Sequence, residues 1–427
     1  MSIVGAVLLP FISTEDAARG LRLTCRELKQ AVTDFPWEDM ETVIHGSIAL
    51  WRVCFPRARG ANVGKLYGDE GWENPKGRRT PVVDADFVHF VGLRALNMSE
   101  CTQVTDAAFV NLRGIERLSM RGCRQVTDAA FVHLGGIKVL SMTGCRQLTD
   151  AAFVHLGGIQ ELDMSGCNQP AITDAAFAHI AGIQKLCIES CHQASLTDAA
   201  FVHLKGIKEL SMTACRQFTG AAFVHLRGIR KLDMKRCYQG TITDAAFVHL
   251  RGIQELDMTF CTQATITDAA FAHIVGIQRL SIMYCTQASI TDAAFVHLKG
   301  IKVLNMSGCK QLTDAAFEHL KGIHTLLMAG CSQNTITDAA FENLKGIRTL
   351  DMSQCAQVTD AAFAHLRSIH TLAVGGCRPT AAIVAHLKGI KRLSCGGTPL
   401  AFRMAAFLAG LPVPRPDEEE LLLDVLE

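Results

Sequence analysis

The sequence lacks a charge excess: lysine and arginine together number 42, aspartate and glutamate 41, in 427 residues. So even a balance gives no general attraction to nucleic acid or to an anionic membrane, and any electrostatic preference has to come from a local patch. Long apolar runs are missing too. No stretch reaches the ~18 uncharged apolar residues of a membrane-spanning helix, so no membrane partner is expected. The apolar segment from Met1 to Leu9 has no basic region before it and runs into Pro10 and Glu15-Asp16, which is not the pattern of a signal peptide. The 17 cysteines are not densely paired as in a small secreted scaffold. A reducing compartment, cytoplasm or nucleus, fits these features. No nucleophile–base pair, phosphate loop or paired acids stand outside the repeating pattern. The expectation is therefore no enzyme, no cofactor and no metal.

What the chain does have is a repeat. The stretch from Thr149 to Cys167 recurs in near copies from about Val82 to Gly397. Its cysteine falls at 101, 123, 145, 167, 191, 215, 237, 261, 285, 309, 331, 355 and 377, always 22 or 24 residues apart. A fixed period in this range marks a solenoid, which overrides the two or three domains that length alone would suggest. Within a unit, the alternation at Leu162 and Met164 predicts a short strand with one face inward. Thr149-Asp150 can cap a helix, whose stripe is Ala152, Phe153, Leu156 and Ile159. Gly158 then stops that helix after about two turns. The 24-residue units insert two residues after the cysteine, as in Cys261–Thr267. One unit cannot offset the entropy of ordering itself, so stacking on both neighbours has to supply the difference. The fold class is therefore α/β: a curved parallel sheet of about 14 strands inside and short helices outside.

The side-chain columns read as scaffold. The cysteines form one buried row rather than four convergent ligands, and are expected to satisfy turn backbone groups. The histidines at 133, 155, 179, 203, 225, 249, 273, 297, 319 and 365 fall at the margin of the outer helical face; repulsion between them once charged predicts a melting temperature that falls from pH 7 to 5. The aspartate after the threonine places charge at a helix N-terminus, and Gly220 breaks that row. The glutamine two residues after most cysteines is expected to form an amide ladder.

The flanks differ from the repeat. Residues 1–40 predict a compact helical segment, with Ser13-Thr14 as cap and Ala17, Leu21, Cys25, Leu28 and Val32 at helical spacing. Residues 41–81 read as a transition and N-terminal cap with a short strand, a short helix and a Gly/Pro-rich loop from Lys65 to Pro81. Phe55–Val63 has the look of a degenerate first strand. Residues 82–397 are the array. Residues 398–427 read as a C-terminal cap, with a helix over Pro399–Leu411, and an acidic-apolar tail.

Two resemblances follow. The core Leu-x-x-Leu-x-Leu-x-x-Cys-x-x-Ile-Thr-Asp, seen at Ile159, Leu162, Met164 and Cys167 and, after Cys145, at Leu148-Thr149-Asp150, resembles the cysteine-containing leucine-rich repeats of F-box proteins. The units are shorter than usual for that group, and such near-identical arrays look like those of some giant DNA viruses and protists. The order Leu9, Glu15-Asp16, Leu21, Leu23, Thr24-Cys25-Arg26, Leu28, Val32 and Trp37 resembles an F-box, without its usual Leu-Pro-x-Glu start. That resemblance implies a substrate-recognition subunit of an SCF-type ubiquitin ligase. Its adaptor-binding residues would be Leu8, Leu9, Pro10, Ile12, Leu21, Leu23, Leu28, Val32 and Trp37, facing a Skp-type adaptor. Localisation would be cytoplasmic or nuclear, or the host cytoplasm for a viral source. The alternative is a stand-alone interaction scaffold whose N-terminal helices only cap the array.

The information about binding lies where the copies disagree. Most units offer small groups on the concave face, such as Ser141, Thr143 and Gly144. Three adjacent units present Lys231, Asp233, Lys235 and Arg236; Glu255, Asp257 and Phe260; and Arg279, Met283 and Tyr284, with Tyr238 beyond Cys237. Aromatic, Met and Arg groups among small neighbours are what interface hot spots favour, and the surface is expected to bind a protein target.

Overall fold

Each repeat opens with a three-residue strand whose central leucine is buried and whose two flanking side chains face outward. The computed structural model describes residues 26–44, 46–64, 81–398, 403, 406, 407 and 409–412. It clusters into two units, Met1–Ile207 and Lys208–Glu427.

The first unit begins with two helices, α1 (Arg26–Asp34) and α2 (Ile48–Cys54). Ser47 caps α2 through the Leu50 amide. Trp37 sits between the helices: its indole donates to the Val32 carbonyl at 2.8 Å, and its ring meets Phe55 edge-on at 5.9 Å. Arg52 Nη2 donates to the Val91 carbonyl at 2.6 Å and ties this cap to the first repeat. Six parallel strands follow: β1 (Gly60–Asn62), β2 (Ala95–Asn97), β3 (Arg117–Ser119), β4 (Val139–Ser141), β5 (Glu161–Asp163) and β6 (Lys185–Cys187). They pair in chain order, leucine beside leucine from β2 on. The degenerate strand expected within Phe55–Val63 is β1.

The second unit holds nine more: β7 (Glu209–Ser211), β8 (Lys231–Asp233), β9 (Glu255–Asp257), β10 (Arg279–Ser281), β11 (Val303–Asn305), β12 (Thr325–Leu327), β13 (Thr349–Asp351), β14 (Thr371–Ala373) and β15 (Arg392–Ser394). These also pair in parallel and in chain order. The chain is thus a leucine-rich repeat solenoid. The period explains the register: a residue lies beside its counterpart 22 or 24 positions on, so every sequence column becomes a row in space.

The helical turns are shorter and tighter than an amphipathic α-helix. Asp106–Leu112 and Asp292–Leu298 are 3₁₀ turns of seven residues, whereas Asp150–Phe153 and Asp268–Phe271 are single α-turns of four. Thr149 fixes the start through the Ala151 amide, and Gly158, at φ +80°, turns the chain into the next strand. Ala152 and Phe153 are fully buried there.

Three columns join one repeat to the next. In most repeats the thiol of the periodic cysteine donates to the carbonyl of the residue that follows the preceding repeat's strand, as Cys261 does to Met234 at 3.1 Å. Burial first, and then Cys145, push the Cys167 thiol up to about 12. The glutamines do not form a side-chain ladder. They donate instead to backbone carbonyls one repeat back, as Gln263 Nε2 does to Cys237 at 3.0 Å. The aspartates do more than face a helix dipole. Asp268 takes the Thr291 amide at 2.7 Å and the Thr291 hydroxyl at 2.7 Å, and so clamps the next repeat's capping residue. Most of the histidine column is half-buried on the outer face, and His179 is exposed.

Candidate protein-binding face

The candidate face lies wholly in the second unit, on β8–β10 and the turns that follow. The repeat period arranges it in rows. The first row is Lys231, Glu255 and Arg279, side by side across the strands. The second is Asp233, Asp257 and Ser281. The third is Lys235, Thr259 and Met283. The fourth, in the turn just before each cysteine, is Arg236, Phe260 and Tyr284.

The inner rows are largely self-neutralised. Lys231 Nζ lies 3.5 Å from Glu255 Oε2. Lys235 Nζ sits between Asp233 at 3.1 Å and Asp257 at 3.4 Å. Burial alone would lower the Lys235 ammonium, but Asp257 and then Asp233 outweigh it, and its pKa is raised. Asp233 also takes the Thr213 hydroxyl at 2.9 Å and the Lys235 amide at 3.0 Å. Asp257 takes the Thr259 amide at 2.9 Å. Met283 Sδ accepts from Asn305 Nδ2 at 3.7 Å.

The fourth row is different. Arg236, Phe260 and Tyr284 have φ of 57°, 60° and 54°, all left-handed. In seven other turns glycine holds this place: Gly122, Gly144, Gly166, Gly308, Gly330, Gly376 and Gly397. A side chain here costs about 1–2 kcal/mol per residue. The three also stack. Phe260 and Tyr284 lie 4.9 Å apart with 14° between ring planes, and the Arg236 guanidinium is 5.6 Å from the Phe260 centroid. Tyr284 leans over Gly308, where an added Cβ would stand 2.4 Å from Tyr284 Cδ1. Beside this ridge, Arg216 lies 4.4 Å above the Tyr238 ring. Phe260, Tyr238 and Tyr284 remain 37%, 41% and 42% exposed.

The structure places the sequence-predicted residues of this face side by side, in two layers. Lys231, Asp233, Lys235, Glu255 and Asp257 satisfy one another, whereas Arg236, Phe260 and Tyr284 form an open ridge. Arg279 is exposed on the first row, and Met283 is half-buried beside the ridge. Arg216 was missed from sequence, and Gly308 is read there only as a small group of the concave face. Both follow from the period, since Arg216 stands 22 residues before Tyr238 and Gly308 stands 24 after Tyr284.

Of the adaptor-binding residues suggested by the F-box resemblance, Leu8, Leu9, Pro10, Ile12, Leu21 and Leu23 lie outside the described residues. Val32 and Trp37 are buried and build the interior of the cap, while Leu28 is half-buried. Among the described residues no group of three or more His, Cys, Asp or Glu side chains converges as a metal site, and no helix is long and apolar enough to cross a membrane.

A family model described as BspA type leucine rich repeat region matches residues 124–249 and 240–370, in six copies. No curated protein matches the chain. Among solved structures it is similar to a chain of the Toll–Spatzle complex of Drosophila, with 14% identity and a TM-score of 0.55, covering 78% of this chain and 47% of that one. It is also similar to a chain of the mouse RP105/MD-1 complex, with 13% identity and a TM-score of 0.55, covering 80% and 70%. The chain thus spans about half the length of the Toll-complex chain it matches. At these identities the likeness is one of fold.

Proposed function

The chain belongs to the leucine-rich repeat proteins of the BspA type, and on that footing we propose that it is a non-catalytic protein-binding scaffold whose contact surface is the ridge and strand face of β8–β10. One observation carries the reading. Three consecutive turns hold large exposed side chains in a backbone conformation that most other turns give to glycine. Strain retained without burial in a core is a mark of function. The groups themselves, Arg, Phe, Tyr and Met, are those enriched at binding hot spots. The complexes to which the fold is similar each join a chain to a protein, Spatzle or MD-1, which agrees with this use of the architecture.

The test exploits the strain. Phe260→Gly with Tyr284→Gly restores the residue that seven other turns carry, so it removes the ridge without harming the fold. Crosslinking and affinity capture with the full chain should yield proteins that the double variant loses. Identical captured sets from both proteins would overturn the assignment of this face.

A finer reading couples the array to a Skp-type adaptor through residues 1–40, as a substrate-recognition subunit of a cullin ubiquitin ligase. It is supported by the amphipathic helix Arg26–Asp34 leading to the buried Trp37, in the order an F-box has. Co-elution of the full chain with a recombinant Skp-type adaptor tests it; separate elution leaves the stand-alone scaffold.

A further inference from the structure

We propose that the ridge is specific for an acidic peptide segment that carries apolar side chains among its carboxylates. The inference rests on the protein-binding reading above and deepens it by naming the partner's chemistry.

The charges on this face are unequally spent. Lys231 and Lys235 are paired with Glu255, Asp233 and Asp257. Arg216 and Arg236 have no ion pair among the described residues, and each lies over a ring, Tyr238 at 4.4 Å and Phe260 at 5.6 Å from the centroid respectively. Stacking leaves a guanidinium's edge N–H groups directed outward in a rigid fork that matches a carboxylate. Both arginines are exposed. The ridge thus offers two pre-oriented carboxylate receptors, one on each side of the Cys237 turn.

The rings define the rest. Phe260 has Arg236 from the preceding repeat and Tyr284 from the following one, and Tyr284 continues onto Gly308. With both Phe260 faces occupied, what remains open there is ring edge. An apolar side chain can lie along that edge. A nucleobase needs an open ring face to stack on, and both faces of Phe260 are taken. The observations therefore favour an acidic polypeptide over a nucleic acid.

Three short fluorescein-labelled synthetic peptides test this against the full chain by fluorescence anisotropy. The first alternates glutamate with leucine and phenylalanine, the second has serine at every apolar place, and the third has lysine at every acidic place. Single-stranded oligo-dT is the fourth probe. The first peptide should bind best, and Arg216→Gln with Arg236→Gln should weaken it by about tenfold or more, the loss expected for charge-assisted hydrogen bonds. Phe260→Gly with Tyr284→Gly should weaken it similarly, and salt should weaken it further. Equal binding of the serine peptide, preference for the lysine peptide, tighter binding of oligo-dT, or no binding of the first peptide up to about 1 mM would each overturn the proposal. If partner capture still depends on the ridge while the acidic peptide shows no preference, this inference fails alone. If capture does not depend on the ridge, the functional assignment fails with it.

Discussion

Replacing Gly220 by aspartate should stabilise the protein. At eleven repeat junctions in the described structure an aspartate clamps the next repeat's threonine through both amide and hydroxyl, at 2.8 Å and 2.6 Å for Asp128 with Thr149. Gly220 is the gap in that row. One repeat on, Thr243 has neither carboxylate nor a side-chain cap bond to its own helical turn, and a recess of about 420 Å³ opens there beside His249. Ala246, beneath it, is 3% exposed where Ala222 and Ala270 are fully buried. The backbone is otherwise in place: the Gly220 amide donates to Thr241 at 3.2 Å, as Asp268 does to Ser289 at 3.1 Å. Gly220 has no positive φ, and an added Cβ would stand 3.0 Å from the Thr241 carbonyl, a close but shared geometry. Hydrogen bonds to a charged acceptor contribute roughly 1.5–3 kcal/mol when shielded; partial exposure of Thr243 reduces the pair to about 1 kcal/mol. Removing glycine's freedom in the unfolded chain adds about 0.5–1 kcal/mol. A total near 1–2 kcal/mol raises the midpoint by about 2–6 °C for a cooperative unit of this size. Calorimetry of Gly220→Asp measures the shift, and hydrogen exchange should show the Thr243 amide newly protected. An unchanged midpoint with unprotected Thr243 would refute the clamp as a source of stability.

Two further predictions concern the columns. Burial first, then Arg227 and His225, hold the His249 imidazole below its ordinary value. The unfolded chain therefore binds more protons, and stability is lost as pH falls below about 6.5; the melting temperature should drop between pH 7 and 5, and His249→Gln should lessen the drop, whereas a flat wild-type profile would count against it. The thiol row should be inert, because burial pushes Cys145 and Cys285 up to about 12. In a native Ellman titration, fast reaction among the described cysteines should be confined to the half-buried Cys54, because Cys187, though half-buried too, is pushed up to about 11 by burial; rapid modification of the whole row would mean that the repeats open readily.

The repeat made the solenoid legible, because a period of 22 or 24 residues forces register, and the strand positions followed from Leu-x-Met. What the columns do was less legible. Sequence places Asp268 at a helix start, but only the stack shows that its carboxylate reaches the following repeat's Thr291. The glutamines look alike one above another, yet Gln263 donates to a main-chain carbonyl. At the candidate face, residue type pointed to Phe260 and Tyr284, while the left-handed backbone beneath them is visible only by comparison with the glycines in the same column. Arg236 and Lys235 are adjacent in sequence, and only the structure separates the neutralised lysine from the arginine on the ring.

The central claim is that Phe260 and Tyr284 are kept for binding rather than for the fold, and one comparison of denaturation midpoints tests it. Phe260→Gly with Tyr284→Gly relieves about 1–2 kcal/mol of strain at each site, loses roughly 0.5–1 kcal/mol at each to glycine's entropy and about 1 kcal/mol of ring stacking. It should unfold within about 1 kcal/mol of wild type while partner capture disappears. Phe260→Ala with Tyr284→Ala, which keeps the strained backbone and loses the stack, should be less stable than the glycine pair. A glycine pair that is several kcal/mol less stable than wild type, or less stable than the alanine pair, would show that the rings serve the fold and would contradict the account.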